Sequence, residues 1–177
     1  MADRKAEEAH SYSVVLDAAT RAERELLSNL LELYIHDLSA AFPSIELGED
    51  GRFGYSKLEL YWSEPERRFP FLIRADGRVA GFALATRGSP ASDDPEVLDV
   101  AEFFVLRRYR RSGVGRQAAA LLWQRLPGTW IVRVAESNPG ALSFWGDTVG
   151  EFTNGGATEY QRPGTPSAWR VFSFESL

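Results

Sequence analysis

Val105-Leu-Arg-Arg-Tyr109-Arg110-Arg111-Ser112-Gly113-Val114-Gly115-Arg116 joins an apolar run to a helical pattern, and its reading decides the fold. Upstream, Val97–Leu106 (VLDVAEFFVL) has the length and β-rich composition of a strand. Downstream, Val114, Ala118, Leu121 and Leu122 recur at helical spacing until Pro127-Gly128. Gly113 and Gly115 therefore stand at a helix entrance, where a backbone without side chains can approach a ligand closely. The first-turn N–H groups of such a helix are unpaired donors suited to phosphate. Arg107, Arg108, Arg110, Arg111 and Arg116 crowd the same segment, and guanidinium groups favour multiply charged phosphates through paired hydrogen bonds. A ligand carrying a pyrophosphate fits this arrangement.

Working outward, Tyr12–Leu16 reads as a short strand, and Thr20-Arg-Ala-Glu23 as a capping box. A helix is predicted from Arg21 to Tyr34, because Leu26, Leu27, Leu30, Leu31 and Tyr34 share one face. Short helices are expected at Asp37–Ala41 and Tyr55–Trp62, with a turn at Gly48–Gly51 between them. Pro70–Arg74 and Val79–Thr86 flank Asp76-Gly77 as a β-hairpin. Beyond the arginine segment, Trp130–Ala135 is a strand. Asn138-Pro139 then starts a helix that closes at Gly150. Thr158–Arg162 and Trp169–Phe174 complete the strands. The expected architecture is α+β: one mixed α/β domain over residues 12–177, behind a flexible lead-in of residues 1–11. Its central, largely antiparallel sheet has about six or seven strands, flanked by about four helices.

Composition narrows the function. The chain has 177 residues, of which 44% are hydrophobic and 25% charged, within the globular range. The net charge of −5 argues against a nucleic-acid partner. The absence of cysteine removes disulfides, thiolate metal sites and cysteine catalysis, and two histidines leave no histidine-rich metal site. No metal is expected. With no long apolar segment and a charged start, no membrane association is expected, and the expected location is cytoplasmic.

Arg110-x-x-Gly113-x-Gly115 resembles the Arg/Gln-x-x-Gly-x-Gly/Ala signature of the GNAT superfamily of N-acetyltransferases. Asn138-Pro-Gly-Ala141-Leu-Ser-Phe144-Trp145 is similar to that family's second segment, Asn-x-x-Ala-x-x-Phe-Tyr, and the spacing between the two segments is as in the family. The likeness spans roughly residues 12–150 in element order and is motif-specific over 97–150. It looks most like small bacterial members known only as acetyltransferases. The resemblance implies acetyl-CoA as donor and a sheet splayed where it binds. Backbone amides of Arg111, Ser112, Gly113, Val114, Gly115 and Arg116, with Arg110, would cradle the pyrophosphate. Phe104 and Val105 would part from Ile131–Val134 to admit the pantetheine arm. Asn138 would bond near that arm, and the helix carrying Trp145 would flank the thioester. Arg107 stands where many relatives have proline. Trp145 stands where many have a tyrosine acting as acid for the departing thiolate, a role indole cannot fill. The thiolate then leaves unaided, is protonated by water, or takes its proton from another tyrosine, Tyr109 or Tyr160.

Amine acetylation also needs a base near neutral pH. Strict strand alternation puts Leu98, Val100, Glu102, Phe104 and Leu106 on one face and Asp99 with Val97, Ala101, Phe103 and Val105 on the other. Each face then holds one carboxylate among apolar neighbours. Glu102, nearer the expected thioester, is the first choice as base and Asp99 the second; the structural alternative is pairing with an arginine such as Arg133. Tyr34, Asp37, Tyr61 and Trp62 are expected to line an acceptor pocket, with Glu46–Asp50 near its mouth. Such a lining suits a small-molecule or peptide amine.

Gly113-Val-Gly115-Arg-Gln-Ala118 also fits a dinucleotide fingerprint, with Glu136 about twenty residues on. Against it, seven residues, Leu106 to Ser112, lie between Val105 and the first glycine, where a tight turn is required. The same fold without catalysis, as an acyl-CoA sensor or interaction module, is the other reading. The exposed tail strands allow a homodimer.

Overall fold

The computed structural model describes residues 11–165 and 167–177; except for Ser11, the expected lead-in lies outside the described residues. Seven strands form one sheet in the order β1-β2-β3-β4-β5-β7-β6. They are β1 (Val14–Ala18), β2 (Arg68–Ala75), β3 (Arg78–Arg87), β4 (Leu98–Val105), β5 (Gly128–Ala135), β6 (Thr158–Arg162) and β7 (Trp169–Ser176). The helices are α1 (Arg24–Ser39), α2 (Leu60–Ser63), α3 (Val114–Arg125) and α4 (Pro139–Phe152). Every strand pair is antiparallel except β4–β5. The predicted fold class is the observed one.

Local chemistry explains most boundaries. At the β2–β3 turn, Asp76 and Gly77 both adopt positive φ (49° and 74°), the conformation of the tight hairpin turn expected there. Thr20 and Glu23 form the capping box, and one 3₁₀ turn at Arg21–Glu23 leads into α1. The separate helix expected at Asp37–Ala41 does not exist, because α1 runs through Asp37 to Ser39. The helix expected at Tyr55–Trp62 shrinks to α2. Preceding it are three-residue turns, with Leu58 N–H donating to the Tyr55 carbonyl and Leu60 N–H to that of Lys57.

One face of the sheet packs on α3 and α4 through Val114, Ala118, Leu122, Trp123, Trp145 and Val149. The other packs on α1 and α2 through Leu27, Leu30, Leu31 and Tyr61. Burial of these side chains supplies the main favourable term in folding. At the far edge, all five residues of β6 are exposed.

Two irregularities of β4 shape the site. Its pairing with β5 covers only Leu98↔Trp130 and Asp99↔Ile131, after which the two strands part. Its register against β3 also slips, with Leu84 opposite Glu102 but Ala85 opposite Val100, so Ala101 is an extra, bulged residue. The bulge overturns the alternation predicted from sequence. Leu98 and Val100 face α3 and α4, whereas Phe104 faces α1. Asp99 and Glu102 therefore project from the same face.

Candidate active site

Where β4 and β5 diverge, the edge of β4 is open. Leu106 N–H donates to the Ala80 carbonyl of β3. Since N–H groups alternate sides along a strand, those of Phe103 and Val105 point into the opening. The Val105 carbonyl points there too, and the Arg110 Nε donates to it at 2.7 Å. Phe104, by contrast, turns its ring into the α1 core.

The arginine segment closes one end of this opening. Gly113 caps α3 at φ +84°, a conformation that glycine adopts without strain, and Arg111 has φ +61°. The first amide donating into the α3 ladder is that of Gln117, to the Gly113 carbonyl. Val114, Gly115 and Arg116 thus present free N–H groups. A Cβ on Gly115 would meet the Phe144 ring at 3.1 Å and Val105 Cγ2 at 3.5 Å, so a larger residue there would require the Phe144 ring to shift. Ser112 is oriented by its Oγ, which donates to the Tyr109 carbonyl. Arg116 pairs with Glu151.

Asp37, expected in the acceptor lining, accepts instead from Arg107 (2.7 Å) and Arg110, tying α1 to the arginine turn. Burial pushes its carboxyl up, but these hydrogen bonds outweigh that and hold it below the usual carboxylate range.

Glu102 sits on the α1 face at the mouth of the opening. The Tyr34 hydroxyl donates to its Oε2 at 2.7 Å, and the Tyr55 hydroxyl to its Oε1 at 3.1 Å. Burial raises the Glu102 pKa; the two tyrosines and the nearby Arg133 and Lys57 charges pull it back without cancelling that rise. Burial, and then the Glu102 charge, raise both Tyr34 and Tyr55. Tyr55 reaches Glu102 because Glu32 of α1 accepts from the amides of Phe53 (2.7 Å) and Gly54 (3.1 Å). Neither Tyr55 nor Glu32 was singled out from sequence. The only local sign is that Tyr55 follows Gly54, which has φ +72°.

Asp99 has no exposed surface. Its carboxylate accepts from Arg133 Nε (2.8 Å) and Nη2 (2.9 Å) and from the Ser89 hydroxyl, and its burial keeps it from solvent. Tyr61 is buried in the α1 core, and Trp62 donates its Nε1–H to the Ala19 carbonyl. Of the four expected acceptor residues, only Tyr34 hydrogen-bonds Glu102, although the Glu102 charge also acts on buried Tyr61.

Trp145 is also packed away, edge-on to Phe103 at 5.0 Å and beside Phe144 at 4.9 Å. Asn138 Oδ1 caps α4 by accepting from Ala141 N–H, while its amide nitrogen takes no part in the cap. The two alternative tyrosines are elsewhere. Tyr109 is buried against Tyr12, and Tyr160 lies on β6 with its hydroxyl on Ala91.

Residues 28–150 match the model of the acetyltransferase (GNAT) family. The chain belongs to the GNAT acetyltransferase family. Its members perform acetyl-CoA-dependent acyl transfer, and the open β4 edge with the free α3 amides suits that donor. An acetyltransferase from Thermus thermophilus is 19% identical, with a TM-score of 0.67 over 94% of this chain and 99% of that one. Spermidine N-acetyltransferase from Vibrio cholerae, in complex with CoA and spermine, is 12% identical (TM-score 0.62; 92% and 95% covered). A ribosomal L7/L12 alpha-N-protein acetyltransferase in complex with coenzyme A is 10% identical (TM-score 0.62; 94% and 96% covered). No curated protein matches the chain. Among the described residues no cluster of His, Asp or Glu could hold a metal, and no helix is long and apolar enough to cross a membrane.

In this GNAT site the tyrosines tune the carboxylate. Tyr55→Phe or Tyr34→Phe removes a hydrogen bond that favours ionised Glu102, so the Glu102 pKa is expected to rise, and any acid limb of kcat/KM that Glu102 sets moves to higher pH with it. Glu32→Ala frees the Tyr55 loop and is expected to shift the Glu102 pKa the same way. An unmoved limb in the two tyrosine variants would separate Glu102 from the chemistry.

Proposed function

We propose that the protein moves acetyl from acetyl-CoA directly to a primary amine, with Glu102 as the base. The observation that carries this reading is a desolvated carboxylate, held by two hydroxyls, beside the unpaired edge of β4. Acetyl-CoA supplies the activated acyl carbon and the thiolate leaving group. The amides of Arg111 to Arg116 and the Arg110 side chain hold its pyrophosphate. The opening at Phe104 and Val105 takes the pantetheine arm, flanked by Asn138 and the helix of Trp145. An N–H of Val105 or Phe103 polarises the thioester carbonyl.

Glu102 takes the proton lost by the amine nitrogen as the C–N bond forms and the C–S bond breaks. A carboxylic acid, even one with a raised pKa, is far more acidic than a thiol near 8.5, so protonated Glu102 can return a proton to the thiolate. No tyrosine is then required at Trp145. Asp99 is left to orient Arg133. The acceptor is a small-molecule or peptide amine, and the protein works in the cytoplasm.

The test is a thermal shift with acetyl-CoA, CoA and NAD, followed by amine-dependent thiol release. Ligand at about 100 times its dissociation constant adds roughly 2.7 kcal/mol, which raises the melting midpoint by about 5–10 °C. Both CoA species should shift the midpoint and NAD should not. No shift with either CoA species overturns the donor site. A shift without thiol release for any amine would favour a non-catalytic acyl-CoA binder.

A further inference from the structure

We infer that Arg133 reads an anionic group on the acceptor, so that the acceptor is an amino-acid-like amine carrying a carboxylate. This rests on the proposed acetyl transfer and names the class of molecule that would receive the acetyl group. Arg133 lies on β5, across the opening from Glu102 and on the same face of the sheet. Its guanidinium is fixed from two sides. Nε and Nη2 donate to Asp99, which the Ser89 hydroxyl also holds, and the Arg133 Cζ lies 5.8 Å from the centre of the Trp169 ring. The remaining nitrogen, Nη1, has no acceptor among the described residues, and the side chain keeps 22% of its surface exposed.

A buried ion pair is a poor source of stability compared with apolar residues of the same volume, so neutralising Asp99 does not by itself account for the arrangement. A guanidinium held rigid, with Nη1 unused and part of its surface exposed, is preorganised for a carboxylate. The charge balance points the same way. Glu102 and Asp99 are matched by Arg133 and Lys57, both within electrostatic reach of Glu102. Asp37, the acidic group that would have favoured a polycation, is already engaged by Arg107 and Arg110. An amine whose own carboxylate meets Arg133 brings its nitrogen to the Glu102 side of the opening.

The test is equilibrium binding to the CoA-saturated protein of matched pairs: glycine and methylamine, β-alanine and ethylamine, 4-aminobutyrate and propylamine, L-alanine and ethylamine. At least one amino acid should bind about tenfold more tightly than its amine, the gain expected of one charge-assisted pair. Arg133→Gln should abolish that preference. Because this change strands buried Asp99, the Asp99→Asn/Arg133→Gln double variant is measured beside it, and CoA binding reports that each is folded. Equal binding across every pair, or a preference that survives in the folded double variant, overturns the inference. Loss of turnover in Glu102→Gln reports separately on the base, since the carboxylate preference should persist there.

Discussion

Glu102→Gln is expected to lower kcat/KM for the amine by about 10²–10⁴-fold, the usual worth of a positioned acid–base group, with acetyl-CoA affinity essentially unchanged. The substitution keeps the volume, and the amide oxygen can still accept from Tyr34 or Tyr55, so the fold loses little. What disappears is a site able to take a proton. The sign of the pH dependence follows from burial. Because burial raises the Glu102 pKa, the ionised base appears only above a pH higher than that of an exposed glutamate, and activity falls on the acid side of that value. The variant should lose this acid limb together with its rate. Initial-rate thiol release across pH 5–9, with acetyl-CoA affinity measured in parallel, checks both. Unchanged turnover would retire Glu102 and leave water as the proton acceptor.

Arg133→Met is expected to destabilise the fold by about 3–5 kcal/mol, and to lower the melting midpoint by roughly 10 °C. The cause is the residue left behind. Asp99 is fully buried, and only the Ser89 hydroxyl would remain to solvate its charge. Changing the other partner costs less, because the Arg133 side chain keeps 22% exposure and can be partly rehydrated. Asp99→Asn should therefore fall well short of Arg133→Met. The double change Asp99→Leu/Arg133→Met should recover most of the loss, since no charge is then buried alone. Urea unfolding of the three variants measures the asymmetry. A cost below about 1 kcal/mol for Arg133→Met would place the pair with exposed ion pairs and remove its structural role.

Much of this protein is legible without coordinates because much of it is local chemistry. The Asp76-Gly77 turn, the Thr20–Glu23 capping box and the Asn138-Pro139 helix start are written in neighbouring residues, and the structure contains all three. The glycine-rich entrance to α3 is equally local. Free N–H groups belong to any helix start, and Gly113 and Gly115 declare that the backbone there must be bare. The helix lengths were less legible. α1 runs on through Asp37, which pairs with Arg107 and Arg110, seventy and more residues away. The early residues of the expected Tyr55–Trp62 helix are drawn off by Glu32 and Glu102.

Neighbouring residues were enough for the fold class, for the place of the candidate donor-binding turn and for Glu102 as a candidate base, because periodicity, glycine and charge act over a few positions. The surroundings of Glu102 depended on packing between distant segments. Counting alternate residues assumes an unbroken strand, and the Ala101 bulge appears only when β3 is laid beside β4. That one inserted residue turns Asp99 and Glu102 to the same face, on which Arg133 of β5 meets Asp99. Tyr34 and Tyr55 arrive from 68 and 47 residues away in the chain, a separation over which no local pattern carries information.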